Sequence, residues 1–330
     1  MTPGHFQALE DQLDLMRWVG SKSGLAMIGA LNKSQKKQGR HFHEHDEALA
    51  ESLAEALNVA STFWVDEHST GMIGTAAETV PYHPQLSIHD LPAEAGWVVF
   101  EHPFEIIDMH DKLMRIGALL WWKSSMVVHD AEGTTVHVPL VNMLWWSDPL
   151  DRKDAYSSDH IEKWGEDLLR SVTSGWVPSA WFFMPLDGEQ AGELAAIEGV
   201  DSAVLSLQHG EDGWKEADCH RLSLAFWIFT TQVLHVTSHR PYRALQKRAL
   251  KFGRIAEDIR VVTLRRKQYH SDEDPIETDV LWTHRWTVKG HWRRIHTNDG
   301  HTRLTYVRPH IKGPDHLPLI LKDSIFKVTR

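Results

Sequence analysis

Residues 72–187 alternate long apolar runs with turn formers, and this pattern constrains the fold more than any other feature of the chain. GWVVFEH, IGALLWWKSSMVV, TTVHVPLVNMLWW and SGWVPSAWFFMP read as strands or buried segments, punctuated by Pro92, Gly96, Pro103, Gly133 and the pair Asp148-Pro149. Two of the runs contain the adjacent pairs Trp121-Trp122 and Trp145-Trp146. Neighbouring residues of a strand point to opposite faces, so at least one member of each pair is expected in a core while the other covers it or lines a groove. Aromatic platforms also stack bases or sugars, but burial is their commoner use. With fifteen tryptophans in the chain, no single one marks a site.

Helical spacing surrounds these runs. Phe6, Leu9, Leu13 and Met16, with Trp18, define a first amphipathic helix; Leu49, Leu53, Leu57 and Ala60 define another over 44–60. Ile161, Trp164, Leu168 and Val172 share one side of a helix over 159–172, and NKSQKKQGR reads as an exposed loop or helix end. CHRLSLAFWIFTTQVLHV is apolar almost all round, as suits a helix at the centre of a large core, where Cys219 is expected as a small buried hydrophobe. A chain of 330 residues, 42% of them hydrophobic, can build such a core. The expected class is α+β: a mixed helical and stranded body over 1–256, followed by a small antiparallel β module over 257–330.

Charge is distributed unevenly. The net charge is -10, yet residues 239–330 carry 20 Lys and Arg against 10 Asp and Glu, leaving 15 against 35 in the first 238. Such asymmetry bears on partners rather than on fold. Pro241 suits a first helical turn, after which Tyr242, Leu245, Ala249, Phe252 and Ala256 recur at helical spacing, with Gly253 weakening the last turn. Arg243, Lys247, Lys251 and Arg254 project to the opposite side. This basic stripe can track a phosphate backbone, dock on the acidic body or on a partner protein, or stay in water.

The end of the chain continues the basic character. Over 284–294, Arg285, Thr287, Lys289, His291 and Arg293 share one face of a strand, and Trp286, Val288, Gly290 and Trp292 share the other. Asn298-Asp299-Gly300 supplies a turn, 302–307 a return strand and SIFKVTR a last one; with IRVVTLRR they are expected to form a small curled sheet or barrel. Arg285, Lys289, Arg293, Arg303, Arg308 and Lys312 are the candidate anion contacts, because permanent charge needs no pKa adjustment. His291, His296, His301 and His310 lie close in sequence, but alternating faces need not bring them to one point.

Chemical motifs are sparse. No GxSxG, GxxxxGK[ST] or GxGxxG is present. His41, His43 and His45, with Glu44 or Asp46, are not in the HExxH arrangement and read as a solvated helix entrance rather than a zinc site. His68-Ser69-Thr70 and His235-Val236-Thr237 resemble the paired motif of two-histidine phosphoesterases, although the first is polar and followed by Gly71 and the second reads as the end of a helix rather than an alternating strand. Glu101, Asp108, Asp111, Asp148 and Asp151 fall near strand ends, where carboxylates can hold a magnesium ion of a nuclease; their spacing selects no set. No metal or cofactor is expected. The opening MTPGHFQALEDQLDLMRWVG lacks the uninterrupted apolar core of a secretory signal, and the apolar run 222–229 falls far short of a bilayer span, so a cytoplasmic protein without membrane contact is expected.

TFWVDEHSTGMIGTAAETV, HDLPAEAGWVVFEHP, HRWTVKGHWRR and YVRPHIKGP together resemble an uncharacterised family of actinobacterial and actinophage proteins. The resemblance implies a phage or mobile-element setting and carries no reaction, ligand or catalytic residue with it. The functional expectation is therefore a nonenzymatic accessory protein contacting DNA or RNA through its basic C-terminal surface. Two alternatives stay open: an interaction or inhibitory factor with a host or phage protein as partner, and a phosphoryl-transfer enzyme or nuclease whose site the fold assembles.

Overall fold

Every one of the four apolar runs is a strand, and all belong to one sheet. The computed structural model describes residues 4–37, 46–80, 91–107, 112–129, 135–170, 172, 174–186, 214–231, 236–263, 285–288, 291–296, 302–307, 310–314 and 317–318. They divide into two units, Met1–Leu264 and Arg265–Arg330.

In the first unit the strands are β1 (Ser61–Val65), β2 (Ala95–Ile107), β3 (Leu113–His129), β4 (Thr135–Ser147), β5 (Val177–Pro185), β6 (Val236–His239) and β7 (Ile259–Val262). Their order is β5-β4-β3-β2-β1-β7-β6. β2 to β5 form an antiparallel meander, β1 runs parallel to both β2 and β7, and β6 closes the edge antiparallel to β7. The register between β2 and β3 shifts between Val99 and Phe104, a bulge that bends β2 away from its partner.

The helices are α1 (Gly4–Val19), α2 (Lys22–Lys37), α3 (Asp46–Val59), α4 (Glu67–Ala77), α5 (Ser157–Trp164), α6 (Glu166–Arg170), α7 (Trp214–Thr231) and α8 (Arg243–Lys251). α1, α2 and α3 bury Leu15, Trp18, Ile28, Leu53 and Leu57 against Trp97, Trp122, Trp146 and Trp181 of the sheet. α8 joins them, with Leu245 and Ala249 packed on Leu9 and Leu13 of α1 and on Ile259 and Val261 of β7. The other face is covered by α7, whose Phe226 and Trp227 meet Phe63, Phe100 and Trp121. α4 lies on this side too, with Gly74 above Phe104.

Cover on both faces changes the reading of the tryptophan pairs. Trp121 and Trp145 face α7, Trp122 and Trp146 face α1 to α3, and all four are buried. Neither member of a pair lines an open groove; a sheet with helices on both sides offers each alternate residue a core. The helix expected over 159–172 is two helices, α5 and α6, separated at Gly165, which has φ 78. His68 and Thr70 lie in the first turn of α4, where Asp66 caps the backbone N–H of Ser69 at 2.7 Å and the Thr70 hydroxyl donates to the Asp66 carbonyl. The phosphoesterase-like unit there is a helix start. Val236 and Thr237 of the second such motif open β6 rather than ending a helix; His235 lies outside the described residues, as do His41, His43, His45, Asp108 and Asp111. Cys219 is buried in α7, and among the described residues no helix is long and apolar enough to cross a membrane.

IRVV does not join the C-terminal strands: it is β7, paired with β1 in the large sheet. The second unit contains β8 (Trp286–Val288) paired antiparallel with β11 (His310–Lys312), and β9 (His291–His296) paired antiparallel with β10 (Thr302–Val307). The single strand expected over 284–294 is thus two strands with different partners. The Asn298-Asp299-Gly300 turn and SIFKVTR lie outside the described residues.

If both faces of the sheet are dry, Trp145→Ala and Trp146→Ala each lower stability by about 3–5 kcal/mol. Urea unfolding of the two single variants checks this; a near-neutral result for either would mean that its face is wet.

Candidate functional site

The basic helix is decided by how it ends. Lys251 closes α8, Gly253 adopts φ 72, its N–H reaches the Leu250 carbonyl at 3.0 Å, and the Arg254 N–H reaches the Ala249 carbonyl at 3.2 Å. This is a Schellman stop, which favours glycine because the left-handed conformation crowds a Cβ. The turn sends Arg254 inward instead of along the stripe. Its side chain is 7% exposed and donates to the carbonyls of Leu57 at 2.9 Å and Ala60 at 2.6 Å, at the C-terminal end of α3. Burial draws its pKa down, and nearby Glu257 opposes that shift. Arg254 is a structural residue and no part of an exposed stripe.

Arg243, Lys247 and Lys251 are exposed, and Arg240, which the helical pattern misses because it precedes Pro241, is exposed beside them. Tyr242 and Arg248 turn the other way, donating to Glu10 and Asp14 of α1. The exposed side is not purely basic, since Leu250 is 60% exposed; Ile255, beyond the end of α8, is 80% exposed. Val59, 64% exposed, is in the last turn of α3, whose terminal carbonyls Arg254 holds. Leu250 was readable in the sequence, since it lies seven residues after Arg243 and hence on the same helical face.

In the second unit, Arg293 stands opposite Thr305 and Lys312 opposite Trp286, both with exposed side chains. Arg303 occupies the register position opposite Ile295. Arg285 is half-buried; its Nε donates to the Leu317 carbonyl at 2.9 Å and its backbone N–H to Pro318. Lys289, Arg308 and His301 lie outside the described residues. His291 and His296 sit at opposite ends of β9, and His310 pairs in register with Val288 of β8.

A second feature is assembled entirely by the fold. A cleft of about 400 Å³ opens beside the β2 bulge, bounded by the first turns of α1, the end of β1, the start of β3 and the turn after β4. Glu101, Asp148 and Asp151, three of the five acids weighed from sequence, meet there with Asp11, Arg115, Trp64 and Trp176. The Trp176 indole lies so close over β3 that a Cβ on Gly117 would come within 2.7 Å of it, and its Nε1 donates to Asp11 Oδ2 at 2.9 Å. Asp11 Oδ1 accepts from Gln7 at 2.8 Å. Burial pushes the Asp11 carboxyl up to about 6, with Asp14 and Glu10 adding to the rise against the two hydrogen bonds.

The other charges have structural duties. Arg115 pairs with Asp151 and with Glu105, Glu101 accepts the backbone N–H of Glu67 at 2.8 Å, and Asp148 accepts that of Leu150 at 2.8 Å. Buried Asp154, whose pKa burial also raises, accepts the backbone N–H of Arg115 at 3.0 Å. Among the described residues, no Ser, Thr, Cys or His lines the cleft. Among the described residues, no group of three His, Cys, Asp or Glu is placed to hold a metal ion.

Two outcomes follow. Arg254→Met lowers stability by about 2–3 kcal/mol, because two buried carbonyls lose a charged donor, whereas Arg243→Gln stays within about 0.5 kcal/mol; denaturant unfolding compares them. Asp11 is raised in the folded state, so ionising it costs nothing below its ordinary carboxylate range and the full penalty above about pH 6. Relative to Asp11→Asn, the natural protein therefore loses up to about 3 kcal/mol as pH rises from about 4 to 7, measured by unfolding at each pH.

No family model and no curated protein matches this sequence. Among solved structures, the chain is similar to the crystal structure of AcrVA2, at 11% identity over 87% of this chain and 83% of that one, with a TM-score of 0.36. At that score and identity the likeness is a broad one, and nothing about function follows from it.

Proposed function

We propose that this chain is a nonenzymatic accessory protein that docks an acidic protein partner on the exposed face of α8, in the phage or mobile-element setting implied by its sequence resemblance. One observation supports this reading above the others: Leu250 stands 60% exposed on α8 together with Arg243, Lys247 and Lys251, and Ile255, just beyond the end of the helix, is 80% exposed. Protein interfaces bury an apolar centre inside a polar rim, and exposed large aliphatic side chains are at home there. Permanent cations around such a centre attract and orient an acidic partner. A phosphate backbone needs the cations and gains little from the leucine and isoleucine.

The nucleic-acid reading is second. Arg243, Lys247 and Lys251 recur every four residues, so they form a line along one edge of the helix, as backbone contacts require, and Arg293 and Lys312 are exposed in the second unit.

Substitution patterns separate the two. A photocrosslinking residue at position 250 is expected to trap an acidic protein in cells, and Lys247→Glu/Lys251→Glu is expected to abolish the crosslink. Binding of the purified partner should then fail with Leu250→Asp/Ile255→Asp as well. If instead the protein binds DNA or RNA at physiological salt, loses that binding in Lys247→Glu/Lys251→Glu and keeps it in Leu250→Asp/Ile255→Asp, the docking reading gives way to the second.

A further inference from the structure

We infer that the cleft beside the β2 bulge is a binding site for an organic monocation, a guanidinium or ammonium group carried on a short apolar stem. Its lining brings four carboxylates, those of Asp11, Glu101, Asp148 and Asp151, to one concave surface where, among the described residues, Arg115 is the single cation. Arg115 is already committed to Asp151 and Glu105, so it does not balance the remaining charge. A cleft lined by one sign of charge concentrates ions of the other sign within it.

The apolar part of the wall selects the kind of cation. Trp64, Val99 and Trp176 line the same cleft, and Trp176 is fixed by close contact over Gly117 and by its bond to Asp11. Aromatic rings beside carboxylates favour a cation that also has carbon to bury, through ring attraction and through the stem. A bare metal ion wants converging oxygens, and among the described residues no such group of three exists. An anion would meet the four carboxylates. The volume of about 400 Å³ falls in the range of small-molecule pockets, ample for one such side chain.

Within the cleft the acids are graded by depth. Glu101 and Asp148 are exposed, while Asp11 is 5% exposed. Each Asp11 oxygen accepts one hydrogen bond and keeps a further lone-pair site. A cation at this depth replaces the hydration that burial removed, so it favours the ionised carboxyl and releases a proton as it binds near pH 6.

The test titrates the full chain with n-butylguanidinium, n-butylammonium, N-acetylarginine amide and, as neutral isostere, n-butylurea, by calorimetry and by NMR. One-to-one saturation by the cations, with n-butylurea weaker by about tenfold or more, is expected. Glu101→Gln/Asp148→Asn keeps both backbone hydrogen-bond acceptors and is expected to weaken the cations by about fivefold or more at an unchanged melting temperature. Near pH 6 the binding heat should vary with the ionisation enthalpy of the buffer. Tight binding of N-acetylarginine amide would identify a peptide side chain as the source, and its exclusion with n-butylguanidinium retained would identify a free small cation. Equal binding of n-butylurea, absence of saturable binding by every cation, or undiminished affinity in the folded double variant would overturn the site. Should the double variant unfold, Glu101→Gln and Asp148→Asn are tested singly, and an affinity unaffected by salt in the natural protein counts against the proposal.

Discussion

The first unit depends on a small polar knot buried where α3 hands over to β1. A helix leaves its last carbonyls without intrahelical donors, and here that end lies under other elements rather than in water. Gln12 of α1 donates to the Leu57 carbonyl at 2.7 Å and the Ala60 carbonyl at 3.0 Å, and Arg254 donates to the same two from the opposite end of the unit. The Gln12 carbonyl oxygen then accepts from the Thr62 hydroxyl at 2.5 Å, on the second residue of β1. Two side chains far apart in sequence thereby position α1, α3, β1 and the segment after α8 around one pair of carbonyls. Because these side chains are buried, each of these bonds is stronger than in water and costlier to lose.

The same economy explains where the basic charge of the later chain goes. Arg248 meets Asp14, Arg254 serves the α3 carbonyls, and Arg260 donates to the Pro92 carbonyl at 2.9 Å while its guanidinium lies 5.1 Å from the Phe63 ring centre. Attraction between basic and acidic segments is thus realised in part inside the first unit, through α8 and α1. On α8 itself, Arg243, Lys247 and Lys251 stay exposed on the side away from α1. α1 lies between the two features of interest: Glu10 and Asp14 face α8, while Gln7 and Asp11 face the cleft.

Much of this fold was legible in the sequence, and the failures have identifiable causes. The β-branched and aromatic runs are strands, and the residues around Leu53 and around Phe226 are buried helices, because patterning follows burial directly. The tryptophan pairs left only the second face open, since sequence does not say that α7 covers it. At Gly165 and Gly253 the hydrophobic spacing continues past a residue that stops the helix, so spacing alone extends both helices too far. The inward turn of Arg254 follows from the second of these, and the glycine was the available signal. The cleft was beyond reach: its walls come from residues near 4–11, 64, 99–103, 115–117, 148–151 and 176, and only the completed sheet brings them together. Glu101, Asp148 and Asp151 were visible as acids near strand ends, but nothing in their spacing joined them to Asp11.

β1 has a consequence for how the chain is made. It is an interior strand of five residues, parallel on one side to β2 and on the other to β7, whose first residue comes almost two hundred positions later. During synthesis the meander from β2 to β5 can form while β1 still presents an open edge. That edge closes only after 259–262 leave the ribosome, and the Arg254 half of the polar knot arrives just before them. Long-range parallel pairing of this kind is slow and leaves intermediates with unpaired strand edges, so the growing chain spends much of its synthesis with its most hydrophobic sheet incomplete. A chain truncated ahead of β7 would keep most of the core residues and lack the strand that seals them.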